Sequence, residues 1–323
     1  MDNLISKLKA TINANSDKKN IPFFSKKGFN GIEINDESFT QINSKKSNKT
    51  FCFIDGGNAE LIIANNLSLQ LIRVGAYAIK DYKKVFSEKH DYHLLITFEN
   101  NKFIAKTFPD KISIEIDVND ESLKVGKSIA KISTIGGFIR RVLELDLANS
   151  IADKSDYIII DGSLEEKFSL ENEYLQSLFS KNKIIVGLCK TNNLMTENGK
   201  SVSAILLDKK DSWIYNPIAK IDQTIFNAKI FMVKLNSASK HCFRVDFHGA
   251  NPIEFFETLM PNCNDVIFPG YPYGLVAVDR LARISNQEKE MEKTKLMVKL
   301  GADWSKITKM QSTQDAHSIL DNV

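Results

Sequence analysis

The chain has 323 residues, 43% apolar and 26% charged, with 43 basic against 40 acidic side chains and a net charge of +3. That length supports one large domain or two modest ones with ample core, and the near balance of charge excludes a global basic field for nucleic acid. No apolar run reaches the roughly 20 residues of a membrane helix, and four scattered cysteines with five scattered histidines exclude a disulfide framework and a CxxC zinc pair. The opening Met1-Asp2-Asn3-Leu4 lacks the basic-then-apolar pattern of a secretory leader, so a cytoplasmic protein without membrane contact is expected.

In chain order, residues 2–13 predict a short amphipathic helix through Leu4, Ile5, Leu8 and Ile12. A polar Lys/Asn/Ser-rich stretch then runs to about residue 50 as loop with little local structure. Residues 1–50 hold nine lysines against five acids, so the positive excess lies in this arm, either as solvated surface or as a phosphate contact. Phe51-Cys52-Phe53-Ile54-Asp55-Gly56-Gly57 reads as a short inner strand ending on a carboxylate at a glycine exit. Alternation predicts strands over 67–79 and 111–118, and a hairpin of 92–98 with 102–108 around Glu99-Asn100-Asn101.

A long helix is expected over 123–151, with Ile129, Ile132, Ile135, Phe138, Ile139, Val142 and Leu145 as its buried stripe and a kink at Gly136-Gly137. Next come a strand at 157–161, a helix at 171–181, a strand at 183–190 and a helical turn at 201–207. Residues 230–235 and 241–247 predict an antiparallel pair, and 251–259 a helix with Pro252 in its first turn. A last long helix should begin near Tyr271-Pro272 and run to about 300, followed by a polar tail. This order predicts an α/β protein, a mixed sheet with helices on its faces.

The strand-Asp-Gly design occurs twice, at Asp55-Gly56 and at Tyr157-Ile158-Ile159-Ile160-Asp161-Gly162. Two such strands can set both carboxylates at one sheet edge, where they repel unless a cation or a proton lies between them. Glu144, late on the long helix, is either a surface partner of Arg140 one turn away or a third carboxylate lowered into the same place. Asp279 has the apolar neighbours Leu275, Val276 and Ala282, so it needs a partner, either Arg283 at i+4 or a metal. Lys190, after an apolar strand, either holds a phosphate or is simply exposed, and Tyr271 either stacks on a base or packs at the helix start. Carboxylates with water suit Mn²⁺ or Mg²⁺, and two such ions about 4 Å apart would serve phosphodiester hydrolysis.

Asp55-Gly-Gly, helix-borne Glu144, Asp161-Gly-Ser, Lys190 and the Tyr271-Pro…Asp279 helix, in that order, resemble the NurA family of archaeal and bacterial DNA-repair nucleases over roughly residues 50–285. The resemblance implies a ribonuclease-H-like mixed sheet with additional strands and a long C-terminal helix. It would divide the chain into an N-terminal helix and basic arm (1–50), a nuclease domain (51–300) and a polar tail (301–323). It implies a Mn²⁺- or Mg²⁺-dependent deoxyribonuclease in which Asp55, Glu144 and Asp161 match the acidic metal ligands and Tyr271 a catalytic helix-start tyrosine; with Asp279 as a fourth carboxylate these would hold two ions, and Lys190 and Tyr271 would position the DNA. The implied activity is 5′–3′ exonuclease and single-strand endonuclease action in double-strand-break end processing. The implied assembly is a homodimer working with a HerA-type hexameric ATPase. One position departs: the family usually has a histidine where this chain has Asp279. Two other readings stay open, a catalytically weak DNA-clamping subunit of the same complex and an actin-like ATPase, although the second lacks its adenosine-binding glycine motif.

Overall fold

In the computed structural model, residues 1–13, 19–125 and 128–312 are described. The strands are β1 (Phe29–Gly31), β2 (Phe39–Gln41), β3 (Phe51–Ala64), β4 (Leu67–Lys80), β5 (Lys83–Glu99), β6 (Lys102–Phe108), β7 (Ser113–Asp117), β8 (Lys124–Val125), β9 (Ser128–Ile129), β10 (Tyr157–Asp161), β11 (Ile184–Cys189), β12 (Trp213–Tyr215), β13 (Ala219–Ile221), β14 (Lys229–Lys234) and β15 (Phe243–His248). The helices are α1 (Asp2–Asn13), α2 (Ile135–Ile151), α3 (Glu171–Phe179), α4 (Val202–Leu206), α5 (Pro252–Leu259), α6 (Tyr273–Ala282), α7 (Asn286–Leu300) and α8 (Trp304–Ser312). Among the described residues no helix is long and apolar enough to cross a membrane.

One sheet carries the molecule, in the order β2-β12-β14-β15-β11-β10-β3-β4-β5-β6-β7. Strand β10 runs parallel to β3 on one side and to β11 on the other. The remaining pairings in that sheet are antiparallel. Successive side chains of a strand point to opposite faces, and the two faces fill two separate cores. Cys52, Ile54, Ile158 and Ile160 join the core that holds Ile135, Ile139 and Val142 of α2 and Leu175 of α3. Phe51, Phe53, Tyr157 and Ile159 join the other, with Phe255 and Phe256 of α5 and Leu275 and Val278 of α6. The parallel centre is covered on both faces, which is why its strands read as continuous apolar runs.

Several boundaries differ from the sequence reading. The polar stretch before residue 50 contributes two strands: β1 pairs with β13, and β2 forms the outer edge of the main sheet beside β12. Three-residue strands are too short to show alternation; aromatic contacts anchor them, with Phe29 against Phe226 and Phe39 edge-on to Trp213 and Tyr215. Strand β5 starts at Lys83 and not near residue 92, because its first half is polar and pairs along β4.

The long helix begins at Ile135 and not near residue 123. Asp120 caps a tight 3-10 turn at Glu121–Leu123 by accepting from the Ser122 amide at 2.8 Å, and the chain then makes the β8–β9 ladder before entering α2. Gly136 lies in the first turn of α2, pressed against the Gln70 side chain, so the glycine serves a close approach and no mid-helix kink.

The last long helix is also broken. Arg283 is extended, Ser285 caps α7 by accepting from the Glu288 amide at 3.1 Å, and α7 turns away from α6. Residues 301–312, read as polar tail, form a short turn and α8, while 313–323 lie outside the described residues. Side chains of α7 and α8, among them Leu296, Trp304 and Ile307, pack on Leu61, Ile62 and Leu71 at the far end of the β3–β4 hairpin.

Candidate active site

Asp55 does not end its strand. The β3 ladder runs on through Gly56 and Gly57 to Ala64, with Asp55 opposite Gly75 and Gly57 opposite Arg73 of β4. The two glycines sit there for clearance: a Cβ on Gly56 would lie 2.5 Å from Glu144 Oε1, and one on Gly57 would run into the Ala282 carbonyl. The second copy does turn. Gly162 follows Asp161 with φ +103 and donates its amide to Leu188 O at 2.8 Å. Similar sequence signatures thus have different backbones.

The parallel pairing sets Ile160 beside Ile54, so Asp161 and Asp55 are neighbours at the same level. By strand alternation both carboxylates lie on the face that α6 covers, and α6 brings Asp279 to them. The three converge on one cation: Lys190 Nζ lies 2.6 Å from Asp161 Oδ2, 3.0 Å from Asp279 Oδ1 and 3.7 Å from Asp55 Oδ2. Lys190 directly follows β11, the other parallel neighbour of β10, which puts its stem at the same sheet edge.

Electrostatics follow from this crowding. Burial, then the charges of Asp161 and Glu144, push the Asp55 carboxyl up to about 7 against the pull of Lys190 and the Gly56 amide. Burial opposes the Lys190 charge, but the hydrogen bond and charge of Asp161 and the charge of Asp55 outweigh it and raise the ammonium above its ordinary value. Asp279 is held below the usual carboxylate range: burial works against it, and Lys190 and Arg283 prevail.

Glu144 arrives from α2 on the opposite face and is 3% exposed. It is paired with Arg140 Nε at 3.3 Å and Arg141 Nη1 at 3.4 Å, so it lies near the cluster without joining the group around Lys190. Tyr271 departs from the base-stacking expectation. It is 1% exposed, its ring stacks on Phe268 at 4.8 Å, and no face is open to a base. Its buried hydroxyl lacks a hydrogen-bond partner and, desolvated and facing Asp161, Asp55 and Asp279, titrates far above the ordinary phenol range.

Asp55, Glu144, Asp161, Lys190 and Asp279 line a cleft of about 1090 Å³ whose walls the sequence reading missed in part. Phe23 and Lys26 reach it from the N-terminal segment, and Arg140, Arg141 and Arg244 from α2 and β15. Arg141 donates to Ser163 O at 2.6 Å. Arg244 pairs with Glu165 and with the fully buried Asp246, which accepts from the Leu164 amide at 2.9 Å. Together they pin the turn behind Asp161. Arg244 and Asp246 are two apart on a strand, hence on one face, and that spacing was the available signal. For Phe23 and Lys26 no local signal exists.

The donor set is all oxygen, which suits Mn²⁺ or Mg²⁺, and Asp55 and Asp161, sharing a single ammonium, with the Asp55 carboxyl raised, mark a place short of positive charge. Asp55 and Asp161 fit an ion; Glu144 and Asp279 are already committed to arginines. Among the described residues no three His, Cys, Asp or Glu side chains stand arranged around a metal position, and the place between the aspartates is taken by Lys190.

Among solved structures, the chain is similar to the NurA nuclease from Sulfolobus solfataricus, with 15% identity, 94% of each chain covered and a TM-score of 0.55. It is more distantly similar to Ciona intestinalis endonuclease V in complex with an inosine-containing DNA (13% identity, 79% of this chain and 92% of that chain, TM-score 0.41). No family model matches the chain, and no curated protein matches it in sequence. At such identities the likeness to the NurA structure establishes fold: a ribonuclease-H-like mixed sheet flanked by helices, with the 15-residue α7 toward its C-terminal end.

Proposed function

We propose that the protein is a divalent-metal-dependent nuclease that hydrolyses DNA phosphodiester bonds. The observation that carries this reading is the convergence of Asp55, Asp161 and Asp279 on one cation at the floor of a large cleft, in a fold shared with a solved nuclease structure. Asp55 and Asp161 would hold the ion. An ion held there would offset the negative charge that develops on a phosphodiester oxygen during displacement by water.

The chain's own residues do the remainder. Lys190 presents an ammonium, about one-third exposed, at the cleft floor, where it meets a phosphate oxygen and offsets its charge. Arg141 and Arg244 hold the turn after Asp161 and so fix that carboxylate against Asp55. Gly56 and Gly57 let Glu144 and α6 close on the strand from opposite faces.

The finer reading rests on the residue resemblance to the NurA family: end processing at double-strand breaks, as a homodimer beside a HerA-type hexameric ATPase. Copurification with such an ATPase and light scattering of the purified chain test it. One observation favours the alternative of a catalytically weak DNA-clamping subunit, namely that Lys190 holds the place between the aspartates and that Glu144 and Asp279 are both paired.

The deciding experiment is cleavage of single- and double-stranded DNA with Mn²⁺ or with EDTA. The nuclease reading requires metal-dependent cleavage that falls about 100-fold or more in Asp161→Asn. Undiminished cleavage in that variant overturns it, and metal-independent DNA binding without cleavage by the wild type selects the clamp.

A further inference from the structure

Asp279 stands in the cleft beside two aspartates, yet its bonding differs from theirs. Both its oxygens are engaged by cations of this chain: Oδ1 accepts from Lys190 Nζ at 3.0 Å, and Oδ2 from Arg283 Nη2 at 2.6 Å, one turn further along. Among the described residues Asp161 pairs with the Lys190 ammonium alone, at 2.6 Å, and Asp55 stands 3.7 Å from it with its other oxygen accepting the Gly56 amide at 2.8 Å. Lys190 is therefore bound at two ends, by the strand carboxylates on one side and by the α6 carboxylate on the other.

The backbones around Asp279 hold it in place. Leu275, Val278 and Ala282 of α6 are buried, so the helix cannot carry Asp279 away from the ammonium. The lysine is the mobile partner: a long flexible stem, about one-third exposed, rooted just past β11. A divalent ion held by Asp55 and Asp161 would place its charge where that ammonium now sits, and two cations cannot share those oxygens without strong repulsion.

We propose that Asp279 is a positioning residue for Lys190: it retains the ammonium while a divalent ion takes Asp55 and Asp161, and Lys190 is the internal competitor that the ion displaces. This rests on the reading of Asp55 and Asp161 as the metal-holding pair. Arg283, on the far oxygen, fixes the Asp279 carboxylate toward the lysine. Asp279 then acts on the metal only through Lys190. Without Asp279 the ammonium has no second partner and settles wholly on the strand aspartates, so the ion meets a stronger competitor. Without Lys190 the competitor is gone, and Asp279 has no influence left.

The test is calorimetric titration of Mn²⁺ into the full chain, without DNA, for wild type, Lys190→Met, Asp279→Asn and the double variant, with folding verified by melting. Lys190→Met should raise Mn²⁺ affinity about tenfold, equivalent to ~1.4 kcal/mol, and Asp279→Asn alone should lower it several-fold. In the Lys190→Met background the Asp279→Asn change should have no further effect, the signature of a residue acting through its neighbour. Equal losses from Asp279→Asn in both backgrounds would make Asp279 a direct ligand and overturn the proposal, as would weaker binding in Lys190→Met. Absence of Mn²⁺ binding in wild type and Lys190→Met alike would instead remove the metal-site reading itself, and this inference with it.

Discussion

Two clusters on the same pair of strands use the same chemistry to opposite ends. At Asp55, on β3, three carboxylates surround one ammonium and the first of them is driven up to about 7 by burial and its like-charged neighbours. At Arg73, on β4 and opposite Gly57, one buried guanidinium meets two carboxylates from different elements. Its Nε and Nη2 bind Asp91 at 2.7 and 2.8 Å, and its Nη1 reaches the Arg283 carbonyl at 3.2 Å and Glu288 at 3.2 Å. Both acids are held below their ordinary range, chiefly by their hydrogen bonds to Arg73. The Arg73 cluster is a satisfied latch that ties α7 and the α6–α7 break to the sheet. The Asp55 cluster sets three carboxylates against the Lys190 ammonium, with Arg283 reaching Asp279 alone among them, so negative charge is left in excess. Satisfaction of charge separates a structural site from one that still wants a ligand.

The comparison breaks most sharply under substitution. Asp55→Asn should reduce Mn²⁺-dependent cleavage about 100-fold or more while leaving the melting temperature unchanged or raised, because it removes a crowded like charge; DNA cleavage and calorimetry on one preparation check both. Arg73→Met should do the reverse. It should cost about 2–3 kcal/mol in urea unfolding, somewhat below the usual loss for a broken buried pair because Asp91 and Glu288 regain water, and leave Mn²⁺ affinity intact.

Next in size are the glycines. Gly57→Ala meets the Ala282 backbone and should cost about 1–3 kcal/mol, whereas Gly56→Ala meets the Glu144 and Arg140 side chains and should cost less, about 1 kcal/mol. Equal costs in urea unfolding would show that α6 yields as readily as a side chain.

The smallest effect is in the acid limb of stability. Asp91 and Glu288 have folded-state values below their unfolded ones, so their contribution is complete above the ordinary carboxylate range and is lost as pH falls through the lowered folded values. Thermal melts of wild type should therefore fall more steeply below about pH 4 than those of Arg73→Met.

Much of this was legible because the centre of the sheet is buried on both faces, which turns β3, β10 and β11 into uninterrupted apolar runs that end or pass at charged residues. The duplicated Asp-Gly signature placed Asp55 and Asp161 together, and the local partners Arg140 of Glu144 and Arg283 of Asp279 were readable from helical spacing. What the pattern did not carry was backbone geometry at the glycines. Asp-Gly marks a turn at Gly162 and an unbroken strand at Gly56, and only the elements packed against each decide which. Contacts between distant segments were equally silent. Nothing near Phe23 or Lys26 indicates that they wall the cleft, and the Ser285-x-x-Glu288 cap that ends the long-helix reading lies within a polar, helix-favouring run that reads as continuous helix.

The continuity of β3 has a consequence for how such a site changes over time. A residue at the end of a strand can tolerate a gained or lost residue nearby, since a loop takes up the difference. Asp55 sits mid-ladder, with paired residues on both sides as far as Ala64. Insertion or deletion of one residue between Phe51 and Asp55 would reverse the parity of the strand and carry the carboxylate to the α2 face, against the apolar core. Exchange of one amino acid for another leaves that parity untouched. The stretch from Phe51 to Asp55 is therefore locked in length whichever apolar residues fill it.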